Sequence, residues 1–207
     1  MREKGYGLAA NWSLISISLV VVVVLTMLLM YVPATCSVDK EIFDSIRSFL
    51  APYPGYIPLF FSEFGFQNHL LWPQITASAV LLSHRKYLQT FLLLLCVHLT
   101  YFTKDLIKNF VCRERPCGAL REGFSFPSGH TSVTMCLLGI GIYLVLKYVS
   151  NKFWRYFLVT CFGLYIFMVG ISRIWIGHHY PIDVLAGAFL GLIIVNLFII
   201  LDKLFNR

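Results

Sequence analysis

Residues 13–32 read SLISISLVVVVVLTMLLMYV, an apolar run without a single charged side chain. A helix needs about 20 mostly apolar residues to cross the hydrocarbon core of a bilayer, and this run has that length. Arg2 and Lys4 precede it, as in a secretory leader, and the residues at 33–36 are similar to a processing site. The apolar core of a leader is only about 7–15 residues long, however. The run therefore predicts a retained first membrane helix.

The composition of the whole chain points the same way. Of 207 residues, 58% are hydrophobic and 13% are charged, whereas a soluble domain is about 45–50% apolar and about 25% charged. The net charge of +7 comes from scattered basic residues rather than a basic stripe, which argues against nucleic acid as a partner. We expect one membrane domain covering residues 1–207.

Five further apolar stretches extend the pattern to an all-α, integral membrane six-helix bundle. The polar segment 36–50 has a helical apolar stripe, so we expect it to lie along the membrane surface. The expected spans are residues 13–32, 67–83, 87–107, 131–149, 153–174 and 184–201.

The basic residues predict the orientation of this bundle. Six spans put both termini on one side, and lysines and arginines favour the cytoplasmic side. With cytoplasmic termini, the inner flanks carry the larger share of them once Lys108, Arg115 and Arg173 are assigned to chemistry. We therefore expect both termini in the cytoplasm and an active site at the extracytoplasmic ends of spans three to six.

The segment Ser172-Arg173-x5-His179-x3-Asp183 combines a histidine with an acid. Residues four apart share a helix face, so Asp183 can accept a hydrogen bond from the His179 ring. That bond would fix the tautomer, aim the other ring nitrogen at a substrate and stabilise the ring's positive charge after attack. An ordinary structural pair is the alternative. His178 lies five residues before Asp183 and off its face, so we expect a helper or bystander.

The segment Pro127-Ser128-Gly129-His130 indicates a turn that leads into a helix. The first N–H groups of a helix lack partners and the dipole is positive there, which suits an anion. Ser128 can donate to a phosphate or act as a plain N-cap, and Gly129 lets the backbone approach a phosphoryl oxygen. The ordinary pKa of a histidine, about 6.5, would let His130 act as an acid and then as a base.

Three cations complete the set. Lys108-x6-Arg115-Pro116 supplies two of them, and Arg173 supplies the third. Catalysis of phosphoryl transfer consists mostly of positioning and of neutralising charge on the phosphoryl oxygens, which arginine binds bidentately. For Lys108, the alternative is an interfacial anchor that reaches the lipid headgroups.

Together these segments resemble the motifs of the type-2 phosphatidate phosphatase superfamily, which also includes vanadium haloperoxidases. The resemblance implies that His179 is the phosphate-accepting nucleophile, oriented by Asp183, and that His130 is the acid and base. It implies that the phosphate is held by the remaining motif residues, Lys108, Arg115, Ser128, Gly129 and Arg173. It also implies no metal and no other cofactor.

The expected function is hydrolysis of a lipid phosphate, with membrane lipids as the surroundings. Short loops favour a bacterial enzyme of the inner (plasma) membrane, and undecaprenyl diphosphate is the first candidate substrate. Phosphatidylglycerophosphate, phosphatidate and lipid A phosphates are alternatives. A lipid phosphotransferase that uses the same intermediate, a phosphate binder or transporter and a haloperoxidase are rival functions. The sequence leaves the oligomeric state open.

Two further features carry expectations. Cys112 and Cys117 bracket the Arg115 motif, and an oxidising exterior would permit a disulfide between them. A polar cluster near the start of the second span either touches the substrate headgroup or is an ordinary polar helix end. Its members are Glu63, Gln67, Asn68 and His69.

Overall fold

The computed structural model describes residues 2–64, 67–119 and 122–205, and every regular element in these ranges is an α-helix. Side chains are described for the same residues apart from 2–7, 64 and 67–70. The helices are α1 (Arg2–Tyr31), α2 (Pro33–Leu50), α3 (Tyr56–Phe64), α4 (Gln67–Ser83), α5 (Tyr87–Val111), α6 (Gly129–Tyr148), α7 (Lys152–Trp175) and α8 (Pro181–Phe205). The all-α prediction is confirmed.

The count of membrane spans differs from the expectation. Within the described part of the chain, five helices are long and apolar enough to cross a membrane, namely α1, α5, α6, α7 and α8. The expected second span has the bounds of α4, which has 17 residues with Pro73 inside it. At 1.5 Å per residue, α4 is about 25 Å long, whereas the hydrocarbon core is about 30 Å thick.

The centre of the bundle is formed by α5, α6 and α8. Its buried apolar side chains include Leu93 of α5, Ile140 of α6 and Phe198 of α8. The side chains that face outwards are also apolar, for example Val20 at 59% exposure and Phe167 at 62%. An apolar outer surface suits contact with lipid, because the bilayer core holds no water that could hydrogen-bond to polar groups.

Glycines bring α6 and α8 close together. A Cβ atom at Gly187 would lie 2.6 Å from the carbonyl oxygen of Ser128, and one at Gly191 would lie 2.6 Å from the Cβ of Met135. Both distances are shorter than any normal contact, so the two helices can pack this closely only without those side chains. The first of these contacts places the start of α6 against α8, where the motif residues lie.

The helix α2 is more than a surface segment. Its Phe43 is buried and packs 5.2 Å from the Tyr180 ring, and its Asp39 is fully buried. Other members of the predicted stripe remain outside, with Phe49 at 73% exposure. The expectation of a helix was therefore right, but α2 also inserts an acidic side chain into the bundle.

Candidate active site

The residues of the three motifs lie at one end of the bundle, which we call the site end. Lys108 is in the last turn of α5 and Arg173 in the last turn of α7, while Gly129 begins α6 and Asp183 is in the first turn of α8. Two helices therefore end and two begin at the same place. This arrangement lets residues far apart in sequence surround one site.

A short turn between α7 and α8 carries His179 into the bundle. Gly177 has a φ of +77°, a left-handed backbone conformation that glycine adopts without strain. The next two backbone N–H groups, those of His178 and His179, both donate to the carbonyl oxygen of Arg173, at 3.0 and 3.2 Å. The chain thus folds back over the end of α7, and the His179 ring is only 2% exposed.

His179 and Asp183 lie close together as expected, but they do not share a helix face. Pro181 is the first residue of α8, so His179 sits in the turn before the helix rather than on its face. The ring Nδ1 is 3.5 Å from the Asp183 Oδ2. This separation is longer than the usual 2.7–3.2 Å of a hydrogen bond. Catalytic hydrogen bonds often tighten only when substrate binds.

Arg115 determines which nitrogen of His179 is available. Its Nη1 lies 3.2 Å from the His179 Nε2 and also donates to the carbonyl oxygen of His178 at 2.9 Å. A guanidinium can only donate, so Nε2 must be the acceptor and the neutral ring carries its proton on Nδ1. That proton faces Asp183. The lone pair of Nε2 faces the cation that would hold a phosphate.

The surroundings keep His179 neutral. Burial lowers its pKa well below the ordinary 6.5, and the positive charges of Arg173, Lys108 and Arg115 lower it further. A neutral imidazole has the lone pair that a nucleophile needs. The same cations that would attract an anionic substrate therefore also keep the His179 ring unprotonated.

Arg173 is fully buried between α3 and the turn. Its Nη2 is 2.7 Å from the His178 Nδ1, and its Nη1 donates to the hydroxyl of Ser62 in α3. As with Arg115, the arginine must be the donor, so His178 accepts through Nδ1. His178 is thus a partner of a predicted phosphate ligand. Ser62 belongs to none of the three motifs, and its helix α3 lies outside the predicted spans.

Lys108 faces the loop that links α5 to α6. Its ammonium group donates to the carbonyl oxygens of Phe124, at 2.5 Å, and Ser125, at 3.3 Å. The backbone N–H of Ser125 in turn donates to the carbonyl oxygen of Arg113 at 2.8 Å. Lys108 therefore fastens the loop that carries Arg115, and its charge acts on His179 as well.

The start of α6 is tied to the start of α8. The backbone N–H of Ser128 donates to the carbonyl oxygen of Asp183 at 2.9 Å, and the Ser128 hydroxyl accepts from Thr131 at 3.0 Å. The Ser128 side chain makes no capping hydrogen bond to α6, so the simple N-cap alternative is not what the structure has. His130, the second residue of α6, is half-buried. Its part in catalysis stays a prediction.

Gly129 lies against a lysine that sequence reasoning missed. A Cβ atom at Gly129 would be 2.9 Å from Cδ of the Lys104 side chain. Lys104 is one helical turn before Lys108 on α5. The backbone at Gly129 therefore runs beside a cation that belongs to none of the three motifs.

Two charged residues near His179 and Asp183 were also missed. Arg113 donates through Nη1 to Asp183 at 2.7 Å and through Nη2 to Asp39 at 2.8 Å. The signals in the sequence were weak: an extra arginine two positions before Arg115, and an acid within an amphipathic helix. Only the folded chain brings these three side chains together.

The remaining expectations have mixed outcomes. Cys112 and Cys117 are free, exposed thiols, so the proposed disulfide is absent from the described structure. Cys112 ends α5 and its thiol turns back to the carbonyl oxygen of Asn109, 3.1 Å away. Within the polar cluster, Glu63 is exposed, while the side chains of residues 67–69 lie outside the described ones.

The described residues also bear on metal binding. Among the side chains that the structure describes, no three His, Cys, Asp or Glu lie close enough to hold a metal ion. The positive charges that act on His179 include those of Arg173, Lys108 and Arg115.

Comparison with known proteins identifies similar chains. A sequence model of the PAP2 superfamily matches residues 89–207. Phosphatidylglycerophosphatase B of Bacillus subtilis is 27% identical over 78% of this chain and 81% of its own length. Undecaprenyl-diphosphatase BcrC, also of Bacillus subtilis, is 33% identical over 77% of this chain and 75% of its own.

Solved structures share the architecture. The crystal structure of a transmembrane PAP2-type phosphatidylglycerolphosphate phosphatase from Bacillus subtilis matches with a TM-score of 0.82 and 25% identity. The match covers 95% of this chain and 98% of that one. Aquifex aeolicus LpxE shares the fold, with a TM-score of 0.58 and 24% identity over 77% of this chain and 93% of that chain.

Proposed function

The chain belongs to the PAP2 superfamily, and we propose that it is a membrane phosphatase that removes phosphate from a lipid through a phosphohistidine formed on His179. The observation that carries this proposal is the position of the His179 ring. Its Nε2 faces Arg115 at 3.2 Å, and its Nδ1 faces Asp183 at 3.5 Å. A neutral, buried imidazole between a cation and a carboxylate suits attack on phosphorus.

In the first step, the lone pair of Nε2 forms a bond to phosphorus while the bond from phosphorus to the lipid-side oxygen breaks. His130 gives its proton to that departing oxygen. Lys108, Arg115 and Arg173 neutralise charge on the other phosphoryl oxygens, and the backbone at Ser128 and Gly129 approaches them. Asp183 stabilises the positive ring.

In the second step, water gives a proton to His130 and its oxygen bonds to phosphorus. The bond from phosphorus to Nε2 breaks, so inorganic phosphate leaves and His179 returns to its neutral form. No step requires a metal ion, since the positive charge is supplied by side chains.

For the substrate we propose undecaprenyl diphosphate. The similarity to the BcrC enzyme at 33% identity supports it. Phosphatidylglycerophosphate is the second candidate, supported by the TM-score of 0.82 with a phosphatase of that name. Both are lipids with a phosphate at the membrane surface, so the tail would stay in the bilayer.

A groove in the bundle is suited to such a tail. It has a volume of about 760 Å³ and lies between α4, α6 and α7. Trp72, Leu137, Leu138, Phe162 and Tyr165 line it, together with smaller residues. The ring of Tyr165 lies 5.7 Å from the ring of Phe61 in α3, measured between their centres. Phe61 is next in sequence to Ser62, which contacts Arg173.

We also propose the orientation. If α4 is counted as the sixth span, the basic flanks favour cytoplasmic termini, which would put the site end on the extracytoplasmic face of a bacterial inner membrane. A cysteine-labelling test with a membrane-impermeant reagent would use the exposed Cys117 in the loop at this end. Labelling in intact cells supports the outward site, and labelling only after lysis contradicts it.

Phosphate release from purified protein in detergent tests the function. The panel would hold undecaprenyl diphosphate, phosphatidylglycerophosphate, phosphatidate and lipid A. We expect His179→Ala to abolish release and His130→Ala to reduce it by at least about a hundredfold, in line with the usual weight of general acid–base catalysis. The matched control is His84→Ala, because His84 is exposed at the opposite end of the bundle. Full activity of His179→Ala would refute the proposal.

Two additions to the assay separate the rival functions. Activity that persists in a chelator supports a metal-independent phosphatase, and its loss contradicts it. An added acceptor lipid distinguishes hydrolysis from transfer, because a transferase would form phosphorylated acceptor at the expense of free phosphate. A binder or transporter would release no phosphate from any substrate.

A further inference from the structure

We propose that Arg113 and Asp39 are positioning residues for the catalytic pair, and that α2 is thereby part of the active site. Arg113 holds Asp183 so that its second oxygen faces His179, and Asp39 holds Arg113. This inference rests on the proposed role of His179. It assigns a task to two residues outside the three motifs.

The geometry is a bridge with one arginine between two carboxylates. Arg113 donates to Oδ1 of Asp183 at 2.7 Å and to Oδ2 of Asp39 at 2.8 Å. The outer oxygens are occupied as well, because Asp183 Oδ2 accepts from the Tyr180 N–H at 2.9 Å and Asp39 Oδ1 accepts from the Ile182 N–H at 3.0 Å. Each carboxylate oxygen thus has a donor.

The bridge is buried and held from one side by an aromatic ring. Asp39 and Asp183 are fully buried, and the Arg113 side chain is 9% exposed. The guanidinium carbon lies 4.3 Å from the centre of the Tyr180 ring, which itself packs on Phe43 of α2. A planar guanidinium can stack on a ring and donate in two directions at once, which a lysine ammonium cannot do.

The charges explain why two acids are needed. If Arg113 paired with Asp183 alone, it would cancel the carboxylate that must stabilise a positive His179 ring. With Asp39 added, two carboxylates and one guanidinium leave a net charge of about −1 beside the ring. Burial alone would lower the pKa of Arg113, but both carboxylates raise it, so the guanidinium stays charged.

The test must separate positioning from mere folding. Asp39→Asn keeps the shape of the side chain and removes its negative charge. Arg113→Lys keeps the positive charge but removes the planar guanidinium that donates to both carboxylates. Arg113→Gln removes both. Glu41→Gln is the matched control, because Glu41 is an exposed acid on the same helix, two residues from Asp39.

We expect Asp39→Asn and Arg113→Lys to lower kcat about tenfold to a hundredfold. This is the range typical of outer residues that orient the side chains of an active site through hydrogen bonds. KM should stay within about twofold, since the phosphate ligands are untouched. Arg113→Lys should be faster than Arg113→Gln. Glu41→Gln should match wild type, and each variant should melt cooperatively in detergent.

The pH dependence gives a readout that a structural role would not move. His179 is faced by Lys108, Arg115, Arg173, His178, Asp183 and, through the bridge, by Arg113 and Asp39. Asp39→Asn removes a negative charge, so the acid limb of kcat/KM should move to lower pH. Arg113→Gln removes a positive charge, so it should move to higher pH.

The possible results are distinguishable. If His179→Ala is inactive while Asp39→Asn and Arg113→Lys keep wild-type kcat, the positioning role is refuted and the proposed function stands. A fall in kcat with unmoved pH limbs also refutes it. If Asp39→Asn does not fold, Arg113→Lys alone decides by the same criteria. Full activity of His179→Ala would refute the proposed function itself.

Discussion

The contact between Gly187 and Ser128 lets the geometry of the site be tested from a distance. In Gly187→Ala, the new Cβ atom would lie 2.6 Å from the Ser128 carbonyl oxygen and 3.3 Å from the Thr131 Cβ. The nearest obstacle is backbone, so a rotamer change cannot relieve the clash. The starts of α6 and α8 must move apart, and the hydrogen bond from Ser128 to Asp183 must lengthen from 2.9 Å.

The expected magnitude follows from two opposing terms. Overpacking a tight interface costs about 1–3 kcal/mol. Replacing glycine by alanine within a helix returns about 1 kcal/mol. Because the obstacle is backbone, we expect the cost to lie at the upper end, with a net loss of about 2 kcal/mol. For a chain of this size that is a fall of about 5 °C in Tm.

Activity should fall as well as stability. The displaced segment carries Ser128, Gly129 and His130, and misplacing catalytic groups by about 1 Å can cost about a hundredfold in rate. We therefore expect kcat/KM to drop about tenfold to a hundredfold in the folded variant.

The control for this experiment is Gly163→Ala in α7. A Cβ atom at Gly163 would meet nothing within 4 Å, so this variant should keep wild-type activity and an equal or higher Tm. Both variants would be compared by thermal melting in detergent and by phosphate release. Wild-type activity and Tm in Gly187→Ala would refute the close packing of α6 on α8.

Three other predictions follow from the same structure. The pKa of His179 lies well below 6.5, so its ring should stay unprotonated in mild acid. A pH profile of kcat/KM should therefore retain activity at a pH where an ordinary histidine would be protonated. A loss of activity centred on pH 6.5 as the pH is lowered would contradict this. Asp202 is fully buried at the end of the bundle opposite the site end, where it accepts a hydrogen bond from Gln89 at 2.8 Å and pairs with Lys147. Asp202→Ala should lower the free energy of unfolding by about 1–3 kcal/mol, measured as a lower Tm, and should leave kcat of the folded protein unchanged. Thr76 lines the apolar groove, so Thr76→Trp should raise KM for a long-chain substrate but leave KM for a short-chain, water-soluble analogue unchanged. Equal effects on both KM values would show that the lipid tail lies elsewhere.

Spacing within the motifs carried most of what could be predicted. The interval between Arg173 and His179 selected the histidine that lies next to Asp183, even though the turn, and not a helix face, brings them together. Hydropathy located the long spans because each needs a continuous apolar run. The predicted second span, residues 67–83, has the bounds of α4, although its 17 residues make α4 shorter than the five long apolar helices.

The rest depends on contacts between distant parts of the chain. Asp39 and Arg113 are 74 residues apart, and neither belongs to a pattern with regular spacing. Ser62 meets Arg173 across 111 residues, through the separate helix α3. Single-sequence reasoning has no means of pairing such residues, because their proximity is set by how helices pack and not by local preference.

The site faces two electrostatic requirements that conflict. The cations that we propose as phosphate ligands near Nε2 of His179 would also oppose the positive charge that the ring would acquire on attack. The structure separates the two demands across the ring: Arg115 lies on the Nε2 side, and Asp183 with its buried partners lies on the Nδ1 side. One carboxylate cancelled by Arg113 would not oppose three cations, and the second one comes from Asp39 on α2. In the mechanism we propose, α2, a helix outside the five long apolar ones, supplies this charge balance, which is why we expect Asp39→Asn to slow the reaction without weakening substrate binding.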